Sequence, residues 1–286
     1  NAKVLDEFTC SNCGVLLNKK KINRIFINKY DELLGANVKL AKQVPVQVNY
    51  SYAGKRYNKK PDEDDLKLIN DIEGFPISNV DIAIKLPPGS NTEQPKNSHG
   101  FSHVHHFYTK RSLFLLSKLR EELIKENALF LLTGIACRST LMNRIHIKNF
   151  FFGGGGWNAG YLKGTLYVPS LPIETSIIKQ LRDRLKTFTN AFNTLSTSTN
   201  KNVAIYTASS SSSFIVPNSI DYIFIDPPFG SNINYSELNS IWEAWLKVST
   251  NNYLEAIENK TQNKSLDDYR EIMCHCFKVC FSVLKP

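Results

Sequence analysis

The chain of 286 residues is long for one domain and short for three. With 42% hydrophobic and 11% aromatic residues, 14 Gly and 12 Pro, the composition excludes a disordered tail, a collagen-like fibre and a disulfide-stapled miniprotein. A formal charge of +9 favours an anionic partner, nucleic acid first, and no apolar run reaches the roughly 18 to 20 residues that span a bilayer, so a soluble, intracellular protein with no membrane partner is the expectation.

The six cysteines (Cys10, Cys13, Cys137, Cys274, Cys276, Cys280) are too few and too unevenly placed for a disulfide framework, so reduced thiols are expected. Residues 1–60 read as a small β-ribbon module: Cys10-Ser-Asn-Cys-Gly14 forms a knuckle-like turn, residues 24–28 alternate, and residues 44–52 alternate toward a turn at Gly54. Residues 61–149 read as a helical insertion. An amphipathic helix with acidic residues in its first turn begins near Asp62, and a Pro- and Asn-rich loop covers residues 86–100. Thr109 caps a strongly periodic helix to about Asn127, and a second apolar helix runs from Ala128 toward Arg144.

Residues 150–286 read as a catalytic part. Phe152-Gly-Gly-Gly-Gly156 is followed by a strand at 164–168, a helix at 175–192, strands at 203–207 and 220–225, and helices at 236–248 and 266–283. That order predicts an α/β fold with a parallel sheet covered by helices. Asp226-Pro-Pro-Phe229 directly follows the apolar strand, beyond whose carboxyl end ligands sit in such folds. Asp226 offers acceptors to an exocyclic amine; Pro227 and Pro228 fix φ and lack amide donors, leaving the Pro227 carbonyl as a second acceptor; and Phe229 offers a face to a flat ring. These features describe a pocket for a nucleobase amine turned out of a duplex, against the plainer alternative of a strand-ending turn.

The segment Asn218-Ser-Ile-Asp-Tyr-Ile-Phe-Ile-Asp-Pro-Pro-Phe-Gly230, with the following Asn232-Ile-Asn-Tyr-Ser-Glu-Leu238, resembles the amino-group DNA methyltransferases, in particular the adenine-specific DNA methylases that carry a zinc-ribbon insertion. The resemblance implies a partial Rossmann-like methyltransferase sheet and transfer of a methyl group from S-adenosylmethionine to adenine N6, with Asp226, Pro227, Pro228 and Phe229 around the amine and Asn232 and Tyr235 at its rim. Cytosine N4 is the alternative acceptor, and a catalytically idle DNA-binding or partner subunit with the same fold is the alternative role. It also implies DNA and restriction or defence-system subunits as partners, and the bacterial cytoplasm as location. Gly153, Gly154, Gly155 and Gly156 are the candidate donor loop. The residues after them do not start a helix, so a glycine hairpin competes with that reading, and the resemblance places the donor motif upstream of Asn1. A start at Asn1 and an end at Pro286 read as cuts at both ends. Where related enzymes carry an acidic residue after the strand at 203–207, this chain has the serine tract 209–213.

Cys10 and Cys13 resemble half of a zinc ribbon, whose tetrahedral metal needs four ligands; the second knuckle is replaced by Tyr50-Ser-Tyr-Ala-Gly-Lys-Arg56, so a zinc site and a metal-free ribbon both stay open. Cys274, Cys276, Cys280 and His275 read as residues of a packed helix face. His103, His105 and His106 lack a neighbouring acidic or Cys partner in sequence and read as a polar strand edge or a DNA-backbone contact. Lys19 to Lys21, Lys55, Arg56, Lys59 and Lys60 form basic clusters suited either to solvent or to phosphates.

Overall fold

The computed structural model describes residues 7–18, 22–77, 80–195, 202–212, 214–231 and 233–286. Asn232, Ser213 and Lys19 to Lys21 lie outside the described residues. The fold is mixed α/β, with small antiparallel sheets and eight α-helices among the described residues.

Three hairpins come first. β1 (Glu7–Thr9) pairs with β2 (Leu16–Asn18), β3 (Phe26–Asp31) with β4 (Ala36–Ala41), and β5 (Val48–Tyr52) with β6 (Lys55–Lys59). The last of these turns through Ala53 and Gly54, both at positive φ (47° and 77°), the two-residue turn whose twist suits a hairpin. α1 (Glu63–Gly74) opens on a reciprocal cap: the Asp62 carboxylate accepts from the Asp65 amide and the Asp65 carboxylate from the Asp62 amide, both at 3.0 Å.

Residues 86–100, expected as a loop, contain α2 (Ser90–His99). Its polar, Pro-containing sequence has little intrinsic helix preference, and tertiary contacts stabilise it instead: Thr92, Pro95 and His99 are buried, and the amide of Asn91 donates to the Glu237 carboxylate at 2.8 Å. Gly100 ends the helix at φ 78°.

α3 (Lys110–Lys125) starts from Thr109, whose hydroxyl accepts from the Ser112 amide. The second apolar helix is shorter than expected: α4 (Phe130–Ala136) passes into a 3-10 turn at Cys137–Ser139. Leu113, Leu116 and Leu123 of α3 and Leu131, Leu132 and Ile135 of α4 repeat at helical spacing and are buried, each contributing about 1.5–3 kcal/mol. β7 (Arg144–Ile145), α5 (Ile147–Phe152) and β8 (Asn158–Gly160) follow, with β7 and β8 antiparallel. α6 (Ile177–Leu195) packs on α4, and α7 (Tyr235–Leu246) closes the core with Ile241, Ala244 and Trp245. Trp245 Nε1 donates to the Tyr108 hydroxyl (2.9 Å), which donates to the Ala136 carbonyl (3.1 Å), so neither buried polar group is left unpaired. One apolar cluster joins residues from Val80 to Trp245. α8 (Leu266–Val283) follows, capped by Ser265.

The strands expected at 164–168, 203–207 and 220–225 do not form as paired strands, and a Rossmann-like sheet is absent among the described residues. The first is buried at Leu166 and Val168, but a side chain takes the place of a neighbouring strand: the Val168 amide donates to Gln94 Oε1 at 3.0 Å. The other two stand open, with Ile205 90% and Phe224 81% exposed, whereas a central parallel strand is buried on both faces and bonded on both edges. A single parallel bridge, Ile220 to Leu284, is what the last one makes. Among the described residues, no helix is long and apolar enough to cross a membrane.

Candidate functional site

The Asp226 loop is held at both ends and free in the middle. On the incoming side, the amides of Ser219 and Ile220 donate to the Val283 carbonyl at 2.9 Å, the Lys285 amide donates back to the Ile220 carbonyl at 3.0 Å, and Lys285 Nζ pairs with Asp221 at 2.6 Å. On the outgoing side, the Tyr269 hydroxyl from α8 donates to the Pro228 carbonyl at 2.8 Å, and the Glu258 amide donates to the Gly230 carbonyl at 3.2 Å. Between these anchors Asp226 is exposed and makes no hydrogen bond or ion pair among the described residues. The Pro227 carbonyl has no donor among them either, and Phe229 is 68% exposed. Two acceptors and an exposed aromatic ring within one tetrapeptide thus lack internal partners among the described residues.

Tyr235 opens α7 and is 43% exposed, so its ring is accessible. The start of α7 is fixed by a polar network: Glu255 accepts from the Ser236 amide (3.1 Å), the Ser236 hydroxyl (2.8 Å) and Gln262 Nε2 (3.1 Å), while buried Glu237 accepts from the Asn91 amide and from Asn259 Nδ2. These bonds tie α2, α7 and the loop before α8 together beside the Asp226 loop.

Gly153 to Gly156 follow α5 and precede β8. Gly153 and Gly154 take φ of 76° and 98°, Asn149 Nδ2 donates to the Gly156 carbonyl at 3.0 Å, and a Cβ at Gly155 would lie 2.8 Å from that Nδ2. This is a tight helix-to-strand turn. A donor loop needs glycines between a strand and a helix N-terminus, where free amides point at the ligand, and these four residues do not offer that arrangement for S-adenosylmethionine.

Cys10 and Cys13 form a knuckle between β1 and β2, with the Cys10 amide donating to the Val15 carbonyl (2.9 Å) and the Gly14 amide to the Cys10 carbonyl (3.0 Å). The amides of Asn12 and Cys13 point at the Cys10 sulfur and lower its thiol below the usual range. The pair has no third His, Cys or carboxylate ligand in reach among the described residues. On α8, Cys276 and Cys280 are half-buried and Cys274 is exposed.

Sequence reasoning missed one cluster. Asp31, at the end of β3, accepts from His105 Nε2 (2.7 Å) and His106 Nε2 (2.9 Å) on the same oxygen, Oδ2, while its Oδ1 accepts from the amides of Leu33 and Leu34. All three side chains are buried. Burial alone would raise the Asp31 carboxyl, but hydrogen bonds and charge from the two imidazoles outweigh it and hold the group at about 2. Burial also keeps His106 neutral, at about 4. These ligand atoms lie within 4.8 Å of one another, close enough to invite a metal reading. The tautomers oppose it. The Ser102 amide donates to His106 Nδ1 at 3.1 Å, so the single ring hydrogen of His106 sits on Nε2 and points at Asp31. Metal ligation through Nε2 would move that hydrogen to Nδ1, facing the Ser102 N–H donor to donor, and His105 Nδ1 has no acceptor for a hydrogen either. The cluster is a carboxylate satisfied by four N–H donors, fastening the β3–β4 hairpin to the helical core. His103 stands beside it, its ring centroid 5.6 Å from that of His106 and its Nδ1 on the Ser102 hydroxyl.

No family model, curated protein or solved structure matches the chain.

Proposed function

We propose that the Asp226 loop receives an exocyclic nucleobase amine and that the chain serves N6-adenine methylation of DNA with S-adenosylmethionine as donor. The observation that carries this reading is that one loop, anchored through Tyr269 and Glu258, carries an Asp226 carboxylate and a Pro227 carbonyl with no partner among the described residues, and an exposed Phe229 ring. An amino nitrogen conjugated into a purine ring is a poor nucleophile. Two acceptors placed on its N–H groups favour a more tetrahedral nitrogen with its lone pair turned out of the ring, and a stacked aromatic holds the base at that angle. The positive charge of the chain suits the phosphates on either side of an extruded base.

A second reading has its own observation. Because Gly153 to Gly156 form a helix-to-strand turn, no donor loop is assembled among the described residues, which favours a base-binding partner subunit that does not transfer methyl groups by itself. One experiment separates the two: incubation of the chain with DNA and tritium-labelled S-adenosylmethionine, followed by digestion to nucleosides. N6-methyladenine from the natural chain and none from a folded Asp226→Ala variant supports the enzyme. Labelled product from Asp226→Ala at the natural rate refutes the role of the loop. No product from either chain favours the partner subunit.

A further inference from the structure

The β5–β6 hairpin and the turn before β8 flank an open cleft of about 90 Å³, lined by Asn49, Arg56, Tyr57, Asn58, Gly155 and Trp157. That volume is well below the roughly 300–1,000 Å³ of sites that enclose a whole ligand, so the cleft suits surface contact with one planar group rather than an enclosed ligand. Strand alternation explains Asn49, Arg56 and Asn58, while Tyr57, between the last two, belongs to the other face of the strand and adds to the lining from there. Asn49 faces Asn58 across the ladder and Ser51 faces Arg56, so the two amides and the guanidinium share one face of the hairpin. The opposite face carries Tyr50 and Tyr57, stacked with centroids 5.5 Å apart. The far wall is Trp157. Its ring rests edge-on against Phe150 at 4.8 Å, and its carbonyl accepts from the His146 amide, so the wall is fixed before any ligand arrives.

The chemistry of the lining is specific in kind. Arg56 has no acidic partner among the described residues, and the side chains of Asn49 and Asn58 make no hydrogen bond there. No carboxylate lines the cleft. An unpaired guanidinium, two free amides and a rigid indole together match the phosphate, the polar base edge and the flat face of a nucleotide. Duplex DNA keeps its base faces inside the stack, so the indole can be used only by an unpaired base. Lys60, just after β6, adds to the positive charge of the hairpin, whereas Lys55 pairs with Tyr52 on the tyrosine face.

We propose that this cleft binds an unpaired nucleotide of a single-stranded nucleic acid, with the base on Trp157 and the phosphate on Arg56. The site is separate from the Asp226 loop and does not depend on methyl transfer. The test uses the full chain without any methyl donor. A fluorescein-labelled single-stranded oligodeoxynucleotide, its RNA counterpart and the matching duplex are titrated at low salt and followed by anisotropy. The single strands should bind more tightly than the duplex. Trp157→Ala and Arg56→Gln should each weaken binding about fivefold or more, while Trp157→Phe, which keeps a flat face, retains most of the affinity. The DNA and RNA arms show whether the sugar matters. Wild-type affinity in both Trp157→Ala and Arg56→Gln, no binding by the natural chain, or equal binding of the duplex overturns the proposal. Because Asp226 and Phe229 are untouched, such a failure leaves the methylation reading standing.

Discussion

His99 makes the acid stability of this fold predictable. It ends α2 at 1% exposure, with its Nδ1 at 2.7 Å from the Ser98 hydroxyl and its ring against Phe101. Burial, reinforced by the positive charge of Arg24, lowers its imidazole from 6.5 to about 4, and a hydrogen bond to the Pro169 carbonyl only partly opposes this. In the unfolded chain the same ring takes up its proton near 6.5, so between pH 6.5 and 4 the unfolded state binds more protons and folding loses free energy as pH falls. A folded value below the unfolded one means that this stability is fully present above 6.5. For a single site with these two values, the loss from pH 7.5 to 4.5 is about 2.5 kcal/mol, approaching about 3.4 kcal/mol at lower pH. That is a large part of the total for a domain stable by about 5–15 kcal/mol. Urea unfolding followed by tryptophan emission suits the measurement, because Trp242 and Trp245 belong to the same core. His99→Gln removes the titration, so its stability between pH 7.5 and 4.5 should fall by about 2.5 kcal/mol less than that of the natural chain. Parallel pH profiles for the two proteins would refute the assignment of a buried, neutral His99.

Two further substitutions test the packing around the candidate sites. The lowering of the Asp31 carboxyl from 3.8 to about 2 corresponds to about 2 kcal/mol, present above pH 3.8 and lost as pH falls toward 2. Asp31→Asn should therefore cost about 2 kcal/mol at pH 7 in urea unfolding, and an unchanged midpoint would refute the four-donor carboxylate. Gly100→Ala meets two obstacles at once, a φ of 78° and a Cβ 2.1 Å from the Lys39 carbonyl oxygen. It should lower the melting temperature by roughly 5 °C or more, read by circular dichroism, and a melt within a degree of the natural chain would show that α2 does not approach β4 this closely.

Much of the helical architecture was legible because its signals are local. Thr109 announces α3 by a hydroxyl ahead of an apolar stripe, the acidic first turn announces α1, and the bounds 266–283 follow from periodicity alone. α2 was not legible, because the buried carboxylate that holds its first turn belongs to Glu237, 146 residues further on. The Asp31 cluster escaped for the same reason: His105 and His106 are conspicuous, but their partner lies 74 and 75 residues away at a hairpin end whose own sequence carries no mark of it. Hydrogen-bond partners at such separations are chosen by the fold, and one-dimensional patterns do not contain them.

The strands expected at 203–207 and 220–225 illustrate the opposite case. Alternation and β-branched residues report that a segment suits an extended backbone, and here both segments lie outside any helix or paired strand. They do not report whether a neighbouring strand is present, since ladder bonds require a second backbone that sequence preference does not supply. The exposure of Ile205 and Phe224 follows from that distinction. It also explains why Asp226-Pro-Pro-Phe229 keeps its chemical character without the sheet. The anchoring bonds at Ile220, Pro228 and Gly230 go to α8, to the chain after it and to the loop before it, so the acceptor pair and the aromatic face are positioned from the helical side of the fold.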